Sequence, residues 1–239
     1  MNLAEVYNDT VRYFGNAKSN SSVKYSEPIE LTDVHYHDSD SNCVIEVSNS
    51  DTFDMAIRYL DEGLKPVVLN MASDKSPGGG VKKGARAQEE DLFRRSNAYQ
   101  THRRSFYPLS PKELIYSPQV TIIKDSKYEI IPEKVVSMIA CAAIRKPTLV
   151  NERYSQEDYQ LMQYKVDSIF RAAILWGHDS IVLGALGCGA FSNPPRIVAS
   201  IFKQAVERYK QFFRKIGFAI LVVNDRDYDN LHEFTRAFM

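Results

Sequence analysis

Apolar positions follow two rhythms along this chain: short runs dense in valine and isoleucine, and longer stretches spaced three or four residues apart. Residues 43–47, 66–70, 135–141, 180–186 and 218–223 are short, apolar and rich in β-branched side chains, the pattern of buried strands. Between them, residues 3–14 have helical spacing, and Asp51 can cap a helix that runs to about residue 62 and stops at Gly63. Further helices are predicted from Gln88 to about Arg103 and from Gln156 to Trp176, the latter with Leu161, Tyr164, Ile169, Ala172 and Ala173 near one face. Pro194-Pro195 suits the start of another, reaching about Lys215, and a short helix closes the chain. The polar residues 15–27 predict a mobile loop. Prolines at 108, 111, 118 and 132 predict extended or turning chain, with strand candidates at 113–116 and 120–124. Strands alternating with helices, without internal repeat or long linker, predict one α/β domain over residues 1–239.

Composition narrows the function classes. The 239 residues are 44% hydrophobic, enough for a large core, and thirty basic residues balance thirty acidic ones. Bulk charge therefore does not advertise a nucleic-acid or membrane binder. Lys82, Lys83, Arg86, Arg94, Arg95, Arg103 and Arg104 form a local basic segment interrupted by Glu89, Glu90 and Asp91, which fits a solvated helix face or a rim attracting a polyanion. Cys43, Cys141 and Cys188 are odd in number and lack C-x-x-C spacing, so neither a disulfide framework nor a zinc site is expected. His35-x-His37 reads as a surface pair rather than a metal set. The N-terminus lacks a basic stretch leading into an apolar one, and no apolar run approaches bilayer length. A soluble intracellular protein is expected, in which the glycosylation patterns at Asn8 and Asn20 carry little meaning.

Two glycine loops carry the candidate chemistry. Gly78-Gly79-Gly80 follows the strand at 66–70 and precedes Gln88-Glu89-Glu90 by seven residues, delivering two carboxyls to a helix N-terminus. Gly184-Ala185-Leu186-Gly187-Cys188-Gly189-Ala190-Phe191 follows the strand at 180–186 and leads into the Pro194 helix, a layout suited to phosphate or simply to close packing. Together the loops could grip a diphosphate from both sides. A P-loop is excluded because no Gly-Lys-Ser/Thr occurs here, and the dinucleotide fingerprint G-x-G-x-x-G is absent. Adjacent helical residues point about 100° apart, so Glu89 and Glu90 cannot face each other across one bond as paired glycosidase carboxylates do. They suit a division of labour, one holding hydroxyls and one transferring protons, or they merely favour the helix start.

A triglycine, six to eight residues, then Gln-Glu-Glu is the signature of the bacterial-type poly(ADP-ribose) glycohydrolases, and this chain resembles that family over nearly its whole length. The likeness includes Leu69-Asn70-Met71-Ala72-Ser73, Arg95-Ser96-Asn97-Ala98-Tyr99 and the second glycine loop. The resemblance implies a three-layer, macrodomain-like α/β fold, a mixed central sheet flanked by helices, with residues 1–40 as an N-terminal helix and loop extension. It implies that Glu90 protonates the departing ribose oxygen, Glu89 holds ribose hydroxyls and Gln88 supports the pair. Gly78, Gly79, Gly80 and Val81 would let backbone approach the distal ribose and diphosphate. Gly187, Cys188, Gly189 and Ala190 would form the second diphosphate loop, with Phe191 positioning the ribose. Asn70 and Ser73 would supply strand-end contacts. The implied reaction is hydrolysis of ribose–ribose bonds from the chain end to release ADP-ribose, without cofactor or metal. Expected partners are poly(ADP-ribose) or ADP-ribosylated macromolecules, nucleic acid only if it carries ADP-ribose, and no membrane. The rival functions are a non-catalytic reader of terminal ADP-ribose and a hydrolase of single ADP-ribose units on protein or nucleic acid.

Overall fold

The computed structural model describes residues 1–15, 21–32 and 43–239. His35, His37 and Asn20 lie outside them, as does part of the loop expected at 15–27. Among the described residues, seven strands form one sheet: β1 (Val23–Tyr25), β2 (Val44–Ser48), β3 (Pro66–Met71), β4 (Leu114–Lys124), β5 (Ile130–Cys141), β6 (Ser180–Leu183) and β7 (Lys215–Ala219), in the order β1-β4-β5-β3-β6-β7-β2. β4 runs antiparallel to both neighbours, and every other adjacent pair is parallel. The helices are α1 (Leu3–Phe14), α2 (Thr52–Asp61), α3 (Gln88–Arg95), α4 (Ala98–Thr101), α5 (Gln156–Leu175), α6 (Pro195–Tyr209) and α7 (Asp225–Phe238). This is the mixed sheet flanked by helices that the resemblance implied.

Alternation along the strands divides the core into two layers. Val67 and Leu69 of β3, with Ile181 and Leu183 of β6, pack among residues of α5 and α6. Val68 and Val182 point the other way, among Phe53, Tyr59, Leu92 and Phe93 of α2 and α3. β4 changes sides midway: Leu114 and Tyr116 join the first layer, Val120 and Ile122 the second. The switch falls at a register shift between Ser117 and Val120, where Pro118 has no N–H to donate and one extra residue reverses the pleat.

The sequence and the structure differ at several boundaries. The strands expected at 113–116 and 120–124 are one strand carrying that bulge. The helix expected from Gln88 to Arg103 stops at Arg95, because Ser96 turns extended and bridges to Ile122 of β4, and only the short α4 follows. The last strand begins at Lys215 rather than residue 218, so α6 ends at Tyr209 and a 3₁₀ turn over Lys210–Phe212 intervenes. β6 stops at Leu183, three residues early. The segment expected as loop at 15–27 contributes β1, which pairs with β4.

α1 lies over the turn at Val81–Lys83 and over α3. Its cap Asn2 accepts the amides of Ala4 (3.2 Å) and Glu5 (3.4 Å). The buried Lys124 donates to Val6 O and Thr10 Oγ1, each at 2.9 Å, and Thr10 in turn donates to Arg94 O. This helix backs the loop that leads to Glu89 and Glu90. None of the described helices is long and apolar enough to cross a membrane.

Candidate active site

The carboxyl ends of the parallel strands β3, β5, β6 and β7 open into a cleft of about 1070 Å³, where ligands of open α/β sheets bind. Met71, Ala72 and Gln88 line it together with the second glycine loop, Thr52 and Ile220. Gln88 is built into the sheet. β6 stops pairing with β3 at Val68, and beyond that point the Gln88 carboxamide takes the missing strand's place. Its oxygen accepts Met71 N–H at 2.9 Å, and its nitrogen donates to Leu69 O at 2.7 Å and Thr52 Oγ1 at 3.1 Å.

The triglycine turn folds back onto the start of α3. Gly79 has φ +51°, and a Cβ there would stand 2.5 Å from Glu90 Oε1, so only glycine permits this approach. Gly80 N–H donates to Glu90 Oε1 at 2.8 Å. Glu89 Oε2 accepts Ser73 N–H at 2.8 Å, and Oε1 accepts Gly78 N–H at 3.2 Å and Asn70 Nδ2 at 3.4 Å. Gly79 N–H donates to Ser76 O at 3.2 Å. All three glycine amides are therefore engaged within the protein, where the resemblance had assigned them to ribose and diphosphate. Here those of Gly78 and Gly80 orient the two carboxyls. Glu89 Oε1 and Oε2 and Glu90 Oε1 are occupied, whereas Glu90 Oε2 is buried with no hydrogen-bond partner among the described residues.

Burial pushes Glu89 from its ordinary 4.5 up to about 8, opposed by the donors at Ser73, Asn70 and Gly78. The folded protein thus holds a proton that the unfolded chain releases above about pH 4.5. This group's contribution to stability is complete below that pH and is lost as pH rises through about 8. A carboxyl ¹³C titration should show a midpoint for Glu89 near 8. A midpoint below 5 would mean that the N–H donors outweigh desolvation.

The second loop has the opposite character. Gly187 has φ +75°, and a Cβ there would meet Ala143 Cβ at 2.4 Å and Asn193 Nδ2 at 2.5 Å. Asn193 pins the turn, donating through Nδ2 to Ile144 O (2.7 Å) and Gly187 O (3.0 Å), while its oxygen accepts Tyr154 OH at 2.7 Å. Among the described residues, the amides of Gly187, Gly189, Ala190 and Phe191 donate to no protein acceptor. All four residues line the cleft. Such a row of open N–H groups has the chemistry to accept an anion. The Arg145 guanidinium lies 4.0 Å over the Phe191 ring and pairs through Nε with Asp74 Oδ1 at 3.0 Å, tying this loop to the end of β3.

Of the residues singled out in the sequence, Gln88, Gly187, Gly189, Ala190 and Phe191 line the cleft. Glu89, Glu90, Asn70, Ser73 and the triglycine are gathered around one another beside it but do not line it. Cys188 and Val81 turn into the two core layers, and burial pushes the Cys188 thiol well above its usual range. Met71, Thr52, Ile220, Leu221, Val223 and Asn224 also line the cleft, and Arg145 stands behind Phe191, without any signal in the sequence that marked them as site residues. Asp51-Thr52 had shown only as a helix cap, and residues 220–224 carry no motif. No cluster of three or more metal-ligating side chains occurs among the described residues.

A family profile described as "Microbial-type PARG, catalytic domain" matches residues 8–125. The fold is similar to the poly(ADP-ribose) glycohydrolase (PARG) of Thermomonospora curvata at 25% identity and TM-score 0.84, covering 98% of each chain. The same enzyme bound to the inhibitor ADP-HPD aligns at TM-score 0.78 and 25% identity, again over 98% of each chain. The PARG of Deinococcus radiodurans in complex with ADP-ribose is 30% identical, with TM-score 0.74 over 82% of this chain and 84% of that one. Comparison with curated proteins gave no match.

Proposed function

The chain belongs to the microbial-type poly(ADP-ribose) glycohydrolase family, and from that premise we propose that it hydrolyses the ribose–ribose O-glycosidic bond at the end of poly(ADP-ribose), releasing ADP-ribose. The diphosphate lies on the open amides of Gly187, Gly189, Ala190 and Phe191. The terminal ribose reaches past the triglycine turn to Glu90. Glu90 Oε2 gives its proton to the leaving 2′-oxygen as the C1″–O bond breaks, and the diphosphate steadies the oxocarbenium-like carbon. The resulting carboxylate then takes a proton from water as hydroxide adds to C1″, so Glu90 ends protonated as it began. Glu89 and Gln88 hold the geometry, and residues 1–239 act as one catalytic domain in an intracellular setting.

The observation that carries this reading is the buried, unpartnered Glu90 Oε2 beside a loop of open amides. A rival, the non-catalytic reader, draws on the fact that neither carboxyl lines the cleft. Incubation with poly(ADP-ribosyl)ated protein, mono-ADP-ribosylated protein and ADP-ribosylated DNA, followed by assay of free ADP-ribose, separates the readings. Release from the polymer alone is expected. Release only from a mono-ADP-ribosylated substrate, or from none, would overturn the assignment.

A further inference from the structure

Beside Glu89 stands a buried polar pair that the reaction scheme leaves unused. Asn70, fully buried at the end of β3, places Nδ2 3.4 Å from Glu89 Oε1 and 3.4 Å from Nε2 of His102. His102 is 1% exposed and caps the short α4. We propose that His102 is a positioning residue: its Nε2 accepts an N–H from Asn70 and so fixes which way the Asn70 carboxamide faces in the active site. The consequence for rate rests on the glycohydrolase reading; the hydrogen-bond assignment does not.

The tautomer follows from what surrounds the other ring nitrogen. His102 Nδ1 lies 3.0 Å from Ala98 O, which can only accept, and 2.9 Å from Thr101 Oγ1, whose hydroxyl donates to the same carbonyl at 3.0 Å. A bare Nδ1 would set its lone pair against that carbonyl, so the proton sits on Nδ1. Burial lowers the His102 pKa to about 4, leaving Nε2 without a proton at neutral pH. Nε2 is then an acceptor. If the Asn70 amide were reversed, its oxygen would face the lone pair of the imidazole Nε2 with no proton between them. The orientation in place uses both N–H groups and leaves Asn70 Oδ1 buried with no partner among the described residues, able to accept a hydroxyl of the ribose that the glycohydrolase reading brings past the triglycine turn. Phe93 holds the imidazole edge-on at 5.3 Å, and its ring fills the space a Cβ on Gly78 would need, 2.5 Å away. The triglycine turn, the aromatic wedge and the Asn70 amide are thereby one packed unit.

The ¹⁵N spectrum of the wild-type imidazole tests the assignment without a variant or an assay: a proton on Nδ1 and none on Nε2 is expected, and the reverse tautomer or a cation at pH 7 would overturn it. For the effect on rate, His102→Phe keeps the ring and removes the acceptor. It should lower kcat/KM on poly(ADP-ribose) by about 10–100-fold, yet by less than about threefold when introduced into Asn70→Ala. Equal losses in both backgrounds would mean that His102 acts independently of Asn70, and the proposal fails. Should His102→Phe not fold, the wild-type tautomer decides. A wild-type protein that releases no ADP-ribose defeats the glycohydrolase reading, and the tautomer still decides the role of His102.

Discussion

Glu90→Gln lowers kcat on poly(ADP-ribose) by about 10²–10⁴-fold, the range of a lost general acid, while leaving the Kd for ADP-ribose within about threefold. The substitution suits the site because the two oxygens of Glu90 differ. Oε1 accepts Gly80 N–H at 2.8 Å, and a glutamine oxygen can do the same. Oε2 has no partner among the described residues, so an NH₂ group in its place disturbs no hydrogen bond seen there. The turn at Gly79 keeps its shape and the open amides of the second loop are untouched. Single-turnover measurements on chain-labelled polymer, with calorimetry for ADP-ribose, separate the two effects. Equal loss of turnover and of affinity would make Glu90 a binding residue, and unchanged turnover would remove it from the chemistry.

Arg95→Met costs about 3–5 kcal/mol of folding stability and lowers Tm by about 10 °C or more. Arg95 is fully buried at the end of α3. Its guanidinium reaches Asp51 Oδ1 at 2.5 Å, Asp54 Oδ1 at 2.7 Å and Asp91 Oδ2 at 3.2 Å, and its Nε donates to Lys124 O at 3.1 Å. Asp51 is also the cap of α2, accepting the amides of Phe53 and Asp54. Methionine fills a similar volume but leaves clustered carboxylates without their cation. Asp54 is 41% exposed and contributes little, so most of the loss comes from Asp51 and Asp91. Because Asp91 adjoins Glu90, activity should fall with stability. Thermal and urea melts check this; a Tm within about 2 °C of wild type would show the cluster to be neutral.

The sheet was legible where each strand is a short β-branched run: β2, β3, β5 and β6 stand where valine and isoleucine concentrate. Helix caps were readable too, because Asp51 and Pro194-Pro195 act through local geometry. What escaped is set by tertiary contact. Proline at 118 argued for two strands, yet a bulge accommodates it within β4. Helical composition ran on to Arg103, but pairing of Ser96 with Ile122 ended α3 at Arg95. At the site, the glycine motifs announced both loops but not their division of labour. Only the folded arrangement distinguishes amides consumed by Glu89 and Glu90 from amides left open beside Phe191. Ile220, Leu221, Val223 and Asn224 reach the cleft, and Arg145 reaches Phe191, through topology alone, so no local pattern marked them.

The mechanism requires one diphosphate on the second glycine loop and one sugar acetal at Glu90. A crystal structure of Glu90→Gln soaked with a short poly(ADP-ribose) chain tests it most directly. The terminal diphosphate is expected on the amides of Gly187, Gly189, Ala190 and Phe191, with the residue 90 side chain within hydrogen-bond reach, about 3 Å, of the bridging ribose oxygen. A chain bound with its diphosphate elsewhere, or with residue 90 walled off from the acetal by the triglycine turn, would contradict it.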